Sequence, residues 1–205
     1  MIKLYSWPRS SGTRISWALE ELGLPYEYIA LDAKKQEHRA PAFLAVNPHG
    51  KVPALTDGNQ HFFESGAILL HLGTKYGVEK NLFPPGGGQP RADAISWSVW
   101  AMAELGPYMM QYLYHGLDTP VSFKREDRSK AAGDYSFMQF SRQLDVLQRQ
   151  VASREYLLGD FSLADIAVAS WLALGTMFGL KLDHHAKVAA WCKRCTERPA
   201  AKRAQ

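Results

Sequence analysis

The chain of 205 residues predicts an α/β unit followed by an all-helical unit, and three observations carry that expectation. A strand, a helix and a second strand fit within its first stretch. A cluster of prolines and glycines interrupts the pattern near residue 85. Beyond that cluster no strand-like alternation recurs. The first unit is expected over residues 1–78, a linker over 79–89, and the helical unit over 90–205.

The first strand is Ile2 to Ser6, a short apolar run that Trp7-Pro8-Arg9-Ser10-Ser11-Gly12 breaks. From Thr13 onward, Ile15, Ala18, Leu19 and Leu22 recur at helical spacing until Gly23, which suits a helix stop. Tyr26 to Leu31 follows as a second strand. Such a βαβ unit implies parallel strands and a right-handed crossover. Lys34 to Val46 is polar and is expected to hold a short, irregular helix over Phe43 and Leu44. A hairpin then joins Val52–Thr56 to His61–Phe63, with the reversal at Asp57-Gly58-Asn59. A third helix carries Ala67, Ile68, Leu70, His71 and Leu72 and ends near Gly77. The order β-α-β-α-β-β-α describes a small sheet layered with helices.

Leu82-Phe83-Pro84-Pro85-Gly86-Gly87-Gly88-Gln89-Pro90 can hardly be helix or strand, so it separates the units. In the second half, Trp97, Trp100, Ala101, Glu104, Tyr108 and Tyr112 form an aromatic stripe on one long helix, expected to bend at Gly106-Pro107 and to face the core. Another helix is expected from about Ser122 to Ser153, with Phe137, Phe140, Leu144 and Leu147 in register. Ser162 and Asp165 make a capping box, with Phe161 placed to staple against Ile166. The helix that they open is apolar on nearly all sides and is expected at the centre of the second unit.

Composition bounds the function. With 46% hydrophobic and 12% aromatic residues the chain can bury a sizeable core. Its net charge of +4 is spread along the sequence, and only the stretch from Lys193 is locally basic, so nucleic acid is not the expected partner. Two cysteines, no cleavable leader ahead of the first strand and no long apolar span point to a cytoplasmic protein with no membrane partner.

The densest signal is Asn47 to Ser65, NPHGKVPALTDGNQHFFES. Pro53 sits where a strand begins and cannot donate to a ladder, so the strand is at an edge or the Val52-Pro53 bond is cis. A cis bond would turn the carbonyl and amide of Val52 outward, where they could pair with a small extended peptide as an added strand does. The helix opening at Glu64-Ser65 offers free amides, a positive dipole end and the Ser65 hydroxyl to a carboxylate. A backbone clamp beside a carboxylate pocket suits a small acidic peptide. A rigid strand start and a plain N-cap are the simpler readings of each residue alone.

Taken together, these features resemble the cytosolic glutathione transferases: Ser10-Ser11 after the first strand, NPHGKVPAL, Glu64-Ser65 at a helix start, the Pro/Gly linker, SLAD in a helical second half, and a closing Arg198-Pro199-Ala200. The resemblance spans nearly the whole chain and is to bacterial, serine-type members of theta, delta and beta-like character. It implies a thioredoxin-like domain that binds glutathione, a helical domain with the pocket for a small hydrophobic electrophile, and a homodimer. By the same resemblance Val52 pairs with the cysteinyl part of glutathione, Pro53 is cis, and Glu64 and Ser65 hold the γ-glutamyl end. His38 and Lys51 reach the glycyl carboxylate, while His49 falls one place from the histidine of the insect pattern and is given no role. Tyr108, Tyr112 and His115 are the candidates for the electrophile pocket, and Glu104 could reach the neighbour's glutathione amine across the dimer.

The chemistry needs a donor aimed at the glutathione sulfur, because thiolate is the nucleophile. A free thiol has a pKa of roughly 8.5, and each unit of depression takes about 1.4 kcal/mol. One charge-assisted hydrogen bond of roughly 1.5 to 3 kcal/mol plus a helix dipole of about 0.5 could supply one to two units. Serine-type relatives read P-x-S-S-x-x-R, which matches Pro8 to Arg14 and favours Ser10. Bacterial cysteine-type relatives align their cysteine with Ser11 instead. The other serine would cap the first helix. Tyr5 lies in the strand, which argues against a tyrosine donor.

A thiol reductase that uses its own cysteine is not expected, since serine stands at the start of the first helix. Cys192 and Cys195 form a C-x-x-C deep in the helical half with no second pair, so no metal site is expected. The alternatives to a transferase are a glutathione-dependent disulfide or peroxide reductase on the same fold, and a non-catalytic binding module.

Overall fold

The computed structural model describes residues 1–204. The chain divides into two compact units, Met1–Gly86 together with the segment from Arg198 on, and Gly87–Glu197.

The first unit is built on a four-stranded sheet of order β2-β1-β3-β4, with β1 Ile2–Ser6, β2 Tyr26–Ala30, β3 Ala54–Asp57 and β4 Gln60–Phe63. β1 and β2 run parallel, Ile2 opposite Tyr26 and Ser6 opposite Ala30. β1 and β3 are antiparallel, as are β3 and β4. Alternation along β1 buries Ile2, Leu4 and Ser6 on one face. Tyr5 points to the other face, against Phe43 of α2, Pro41–Leu44, with ring centroids 5.8 Å apart. α1, Thr13–Leu22, buries Ile15, Ala18, Leu19 and Leu22, and each fully buried Leu or Ile contributes about 1.5–3 kcal/mol. It stops where expected: Gly23 is left-handed, and Leu24 N–H bonds back to the Leu19 carbonyl.

Asp57 is not part of the turn, which needs only Gly58 and Asn59. It is the last residue of β3, buried, and one carboxylate oxygen accepts from His71 Nε2 at 2.9 Å, Lys75 Nζ at 2.7 Å and Tyr76 OH at 2.8 Å. Those donors sit on α3, Ser65–Leu72, and on the wide π turn Gly73–Gly77 that prolongs it. The cluster ties the hairpin to the helix. Gly73 is glycine because the Phe83 ring lies against it; a Cβ there would be 2.7 Å from that ring. The chain then returns to this unit from Arg198. The Arg198 guanidinium forks onto Glu21 of α1 at 2.7 and 2.8 Å, and Arg203 of α9, Pro199–Arg203, reaches Glu20 at 2.7 Å.

The second unit is helical: α4 Gly88–Trp100, α5 Gly106–His115, α6 Lys130–Val151, α7 Leu163–Met177 and α8 Ala186–Thr196. α4 and α5 are one long helix, interrupted not at Gly106-Pro107 but one turn earlier, by a π turn over Ala101–Leu105. Pro107 offers no N–H to the preceding turn, and the widened ladder absorbs that loss. Gly106 has a packing role: a Cβ there would stand 2.4 Å from the Trp171 ring. The buried line of this helix is Ala94, Ser98, Ala101, Leu105, Met109 and Leu113, so the aromatic stripe flanks the core instead of forming it. Two expectations for α6 also shift. It begins at Lys130, capped by the Ser129 hydroxyl, and Phe137 is half exposed while Phe140, Leu144 and Leu147 are buried. Residues ahead of Ser129 form a loop closed by Ser122, whose hydroxyl bridges the Leu113 and Leu117 carbonyls. The capping box of α7 is present, and buried Asp165 accepts from the amides of Leu157 and Ser162 and from Trp191 Nε1. No helix among the described residues is long and apolar enough to cross a membrane.

Candidate active site

The loop from Trp7 to Gly12 leaves β1 at its carboxyl end and turns sharply enough to put Arg9 in the left-handed region, at φ 62°. The two serines face different surroundings. The Ser10 hydroxyl donates to the Trp7 carbonyl at 2.7 Å, accepts from the Gly12 amide at 3.1 Å, and lies 2.9 Å from the Ser6 hydroxyl. The Ser11 hydroxyl makes one long bond, 3.3 Å, to the Val52 carbonyl. Ser11 therefore stands beside the expected backbone clamp, and Ser10 is tied into its own loop.

The Val52-Pro53 bond is cis. The approach to it is shaped by Asn47, buried, whose side chain donates to the Lys51 carbonyl at 2.6 Å and accepts from the His49 amide at 3.0 Å. Gly50, at φ 58°, lies where a Cβ would stand 2.8 Å from the His38 carbonyl and 3.0 Å from Arg39 Nη1. This close approach sets the His38 carbonyl and the Arg39 guanidinium against Gly50, the residue before Lys51. The His38 ring meets Trp7 edge-on at 5.5 Å, and its Nδ1 is buried with no hydrogen-bond partner. His49 packs instead on Phe63, with ring centroids 5.3 Å apart. Arg39 was not singled out in the sequence. Its position next to His38 was visible there, but its contact with Gly50 was not.

Glu64 and Ser65 open α3. Glu64 sits at φ 66°, a conformation that costs a non-glycine residue of order 1 kcal/mol or more and is characteristic of functional turns. Ser65 is buried, and its oxygen accepts from Arg14 Nη1 at 3.2 Å. The Arg14 guanidinium thus holds the Ser65 hydroxyl at the mouth of α3. Burial pushes the Arg14 pKa down to about 9, so the guanidinium stays charged at neutral pH. Ser65, the α3 amides and Arg14 make one electropositive corner suited to a carboxylate. Arg14 closes the P-x-S-S-x-x-R pattern, but nothing in that pattern shows that it supports Ser65.

The three helical candidates are not brought together. Tyr112 packs against Phe137 at 5.0 Å and lines a cavity of about 510 Å³ floored by Phe140, Leu144 and Leu180. Tyr108 pairs with Tyr135 at 6.3 Å outside that cavity. His115 is a loop clamp, with Nδ1 accepting from the Ser129 amide at 3.1 Å and the ring against Phe123. Burial raises the Tyr112 pKa, so the hydroxyl is protonated at neutral pH. Glu104 is exposed. Cys192 and Cys195 are buried on α8 and form no disulfide, and burial pushes the Cys192 thiol up to about 12. No three metal-ligating side chains cluster among the described residues.

A βαβ-ββα unit presenting a cis-proline clamp, a strained residue at a helix start and a serine loop, followed by a helical unit, defines a class. Residues 1–74 match the family model for the glutathione S-transferase N-terminal domain, and residues 107–199 the one for the glutathione S-transferase C-terminal domain. The chain is 33% identical to glutathione S-transferase 4 of Zea mays over 98% of its own length and 90% of the maize protein. It is 31% identical to the disulfide-bond oxidoreductase YfcG of Escherichia coli K12, over 98% of this chain and 92% of that one. Among solved structures, a glutathione transferase family member of Pseudomonas fluorescens Pf-5 with two glutathione molecules bound superposes with a TM-score of 0.85 at 32% identity, covering 98% of this chain and 91% of that one. The chain belongs to the glutathione S-transferase family.

Proposed function

We propose that the protein is a cytoplasmic, homodimeric glutathione transferase that activates the glutathione thiol, through Ser11, for attack on a small apolar electrophile. The observation that carries the choice of serine is the accounting of hydroxyl protons. Ser10 spends its proton on Trp7 O and its lone pairs on Gly12 N–H and Ser6, which ties it into the loop; it does not cap α1, whose N-cap is Gly12 with no side-chain bond. Ser11 donates only to Val52 O, and an incoming cysteinyl amide that claims this carbonyl releases the Ser11 proton to the neighbouring sulfur. This reverses the preference for Ser10 drawn from the motif alone.

In this reading Ser65 donates to the γ-glutamyl carboxylate, Glu64 receives the γ-glutamyl ammonium, and His38, Arg39 and Lys51 face the glycyl carboxylate. Tyr112 is the helical candidate for the electrophile, since it lines the cavity of about 510 Å³. Detoxification of such electrophiles is the corresponding role. Ile95 and Val99 on α4, and Tyr135 and Met138 on α6, are exposed apolar side chains that supply a dimer face. A single monomeric boundary in sedimentation at micromolar concentration would remove that part. Two buried cysteines that form no disulfide accord with a reducing compartment.

A glutathione-dependent disulfide reductase is the second reading, favoured by the likeness to the Escherichia coli oxidoreductase. Assays of one preparation on an aryl electrophile and on a small disulfide separate the two. The test of the thiol site is the ultraviolet absorbance of bound glutathione thiolate across pH. Ser11→Ala is expected to return the thiol toward its solution value, a shift of about one to two units and a rate loss of roughly 8- to 25-fold at pH 7. A depressed pKa that survives Ser11→Ala and disappears in Ser10→Ala overturns the assignment.

A further inference from the structure

Beneath the serine loop lies a second layer of hydroxyls. Ser6, the last residue of β1, is fully buried, with its oxygen 2.9 Å from Ser10 Oγ and 3.3 Å from the Trp7 carbonyl. Two protons serve this group, and the shorter distances assign them. Ser10 donates to Trp7 O, Ser6 donates to Ser10, and the remaining Ser10 lone pair takes Gly12 N–H. Gly12 has no side chain because the pair occupies its space: a Cβ there would be 1.8 Å from Ser6 Oγ and 3.2 Å from Ser10 Oγ. Tyr28, paired in register with Leu4, shares the face of β1 that carries Ser6. Its hydroxyl is buried without a hydrogen bond, and burial raises its pKa. The loop above includes Arg9 in its left-handed conformation. A turn that disfavours its own residue holds only where its surroundings over-determine it.

We propose that the buried Ser6–Ser10 hydroxyl pair is a positioning device for thiol activation, turning Ser10 inward and setting Ser11 and the first turn of α1 at the angle that meets the glutathione sulfur. This rests on the assignment of Ser11 as donor. Ser6 touches neither substrate nor reacting atom. Its influence passes through its bond to Ser10, which also holds Trp7 O and Gly12 N–H, so Ser6→Ala loosens the Ser10 hydroxyl and Ser10→Ala removes it with all its bonds. A polar group that merely fills space would affect stability and leave the titration of the bound thiol where it was.

The experiment measures bound-thiolate absorbance against pH, glutathione affinity and melting temperature for Ser6→Ala, Ser10→Ala, the double variant and Ser11→Ala. Loosening a bond of about 1 kcal/mol corresponds to roughly half to one pKa unit, so each single variant is expected to lose about three- to ten-fold in rate near pH 6.5. The loss should recover near pH 9 and leave glutathione affinity within about two-fold. The double variant should match Ser10→Ala, because Ser6 acts only through Ser10. If Ser6→Ala does not fold, Ser6→Cys, which keeps the volume and replaces the hydroxyl with a weak donor, carries the test. Should Ser11→Ala abolish the depressed pKa while Ser6→Ala and Ser10→Ala leave it in place, the positioning proposal falls and the Ser11 assignment stands. Ser11→Ala without effect removes the assignment, and the proposal with it.

Discussion

Asp57→Asn tests whether the cluster at the end of β3 locks the hairpin to α3. The Asp57 carboxyl is opposed by burial, which raises its pKa, yet hydrogen bonds from Lys75, His71 and Tyr76 outweigh burial and hold it at about 2 instead of 3.8. At about 1.36 kcal/mol per unit that difference is worth roughly 2.4 kcal/mol. Lys75 is 45% exposed, so solvent screening discounts its share, and about 1.5–2 kcal/mol is the expected contribution. The folded-state pKa lies below the unfolded one. The stabilisation is therefore complete above about pH 4 and is lost as pH falls through about 2. Urea unfolding of the two proteins should show a gap of about 1.5–2 kcal/mol at pH 7, steady down to about pH 5 and narrowing as wild-type Asp57 takes up its proton. A gap under about 0.5 kcal/mol at pH 7, or one that stays constant down to pH 2.5, would refute the reasoning.

Two further outcomes follow from single contacts. Ser65→Ala removes the hydroxyl that the Arg14 corner polarises; calorimetry should find glutathione affinity lowered by about 10- to 100-fold, with the pKa of the bound thiol unmoved. Asp165→Ala leaves the Leu157 and Ser162 amides and the Trp191 ring nitrogen without their buried acceptor, and should cost the helical unit about 3–5 kcal/mol, read as an early loss of helical circular dichroism on heating.

Much of the architecture was legible because it rests on local rules. Period and stop signals placed β1, α1 and β2, and Ser162 with Asp165 marked the start of α7. The misreadings share a physical cause: the deciding partner was remote or off the periodic line. Residues 122–129 have helix-compatible composition, but the Ser122 hydroxyl closes them as a loop onto carbonyls of the preceding segment. The aromatic stripe of α4 and α5 looked like core until small residues, with Leu105, Met109 and Leu113, took the buried line. Asp57 read as a turn residue, although His71, Lys75 and Tyr76 stand at one-turn spacing to receive it. The choice between Ser10 and Ser11 had no local signature, because it depends on Ser6 at a strand end and on a carbonyl at Val52.

The fork of Arg198 on Glu21 and of Arg203 on Glu20 makes the first unit discontinuous along the chain. During synthesis α1 emerges early, yet its acidic pair meets those arginines only after every helix of the second unit has been translated. The nascent sheet and its helices therefore hold two carboxylates without their arginine partners until residues 198–203 have been made.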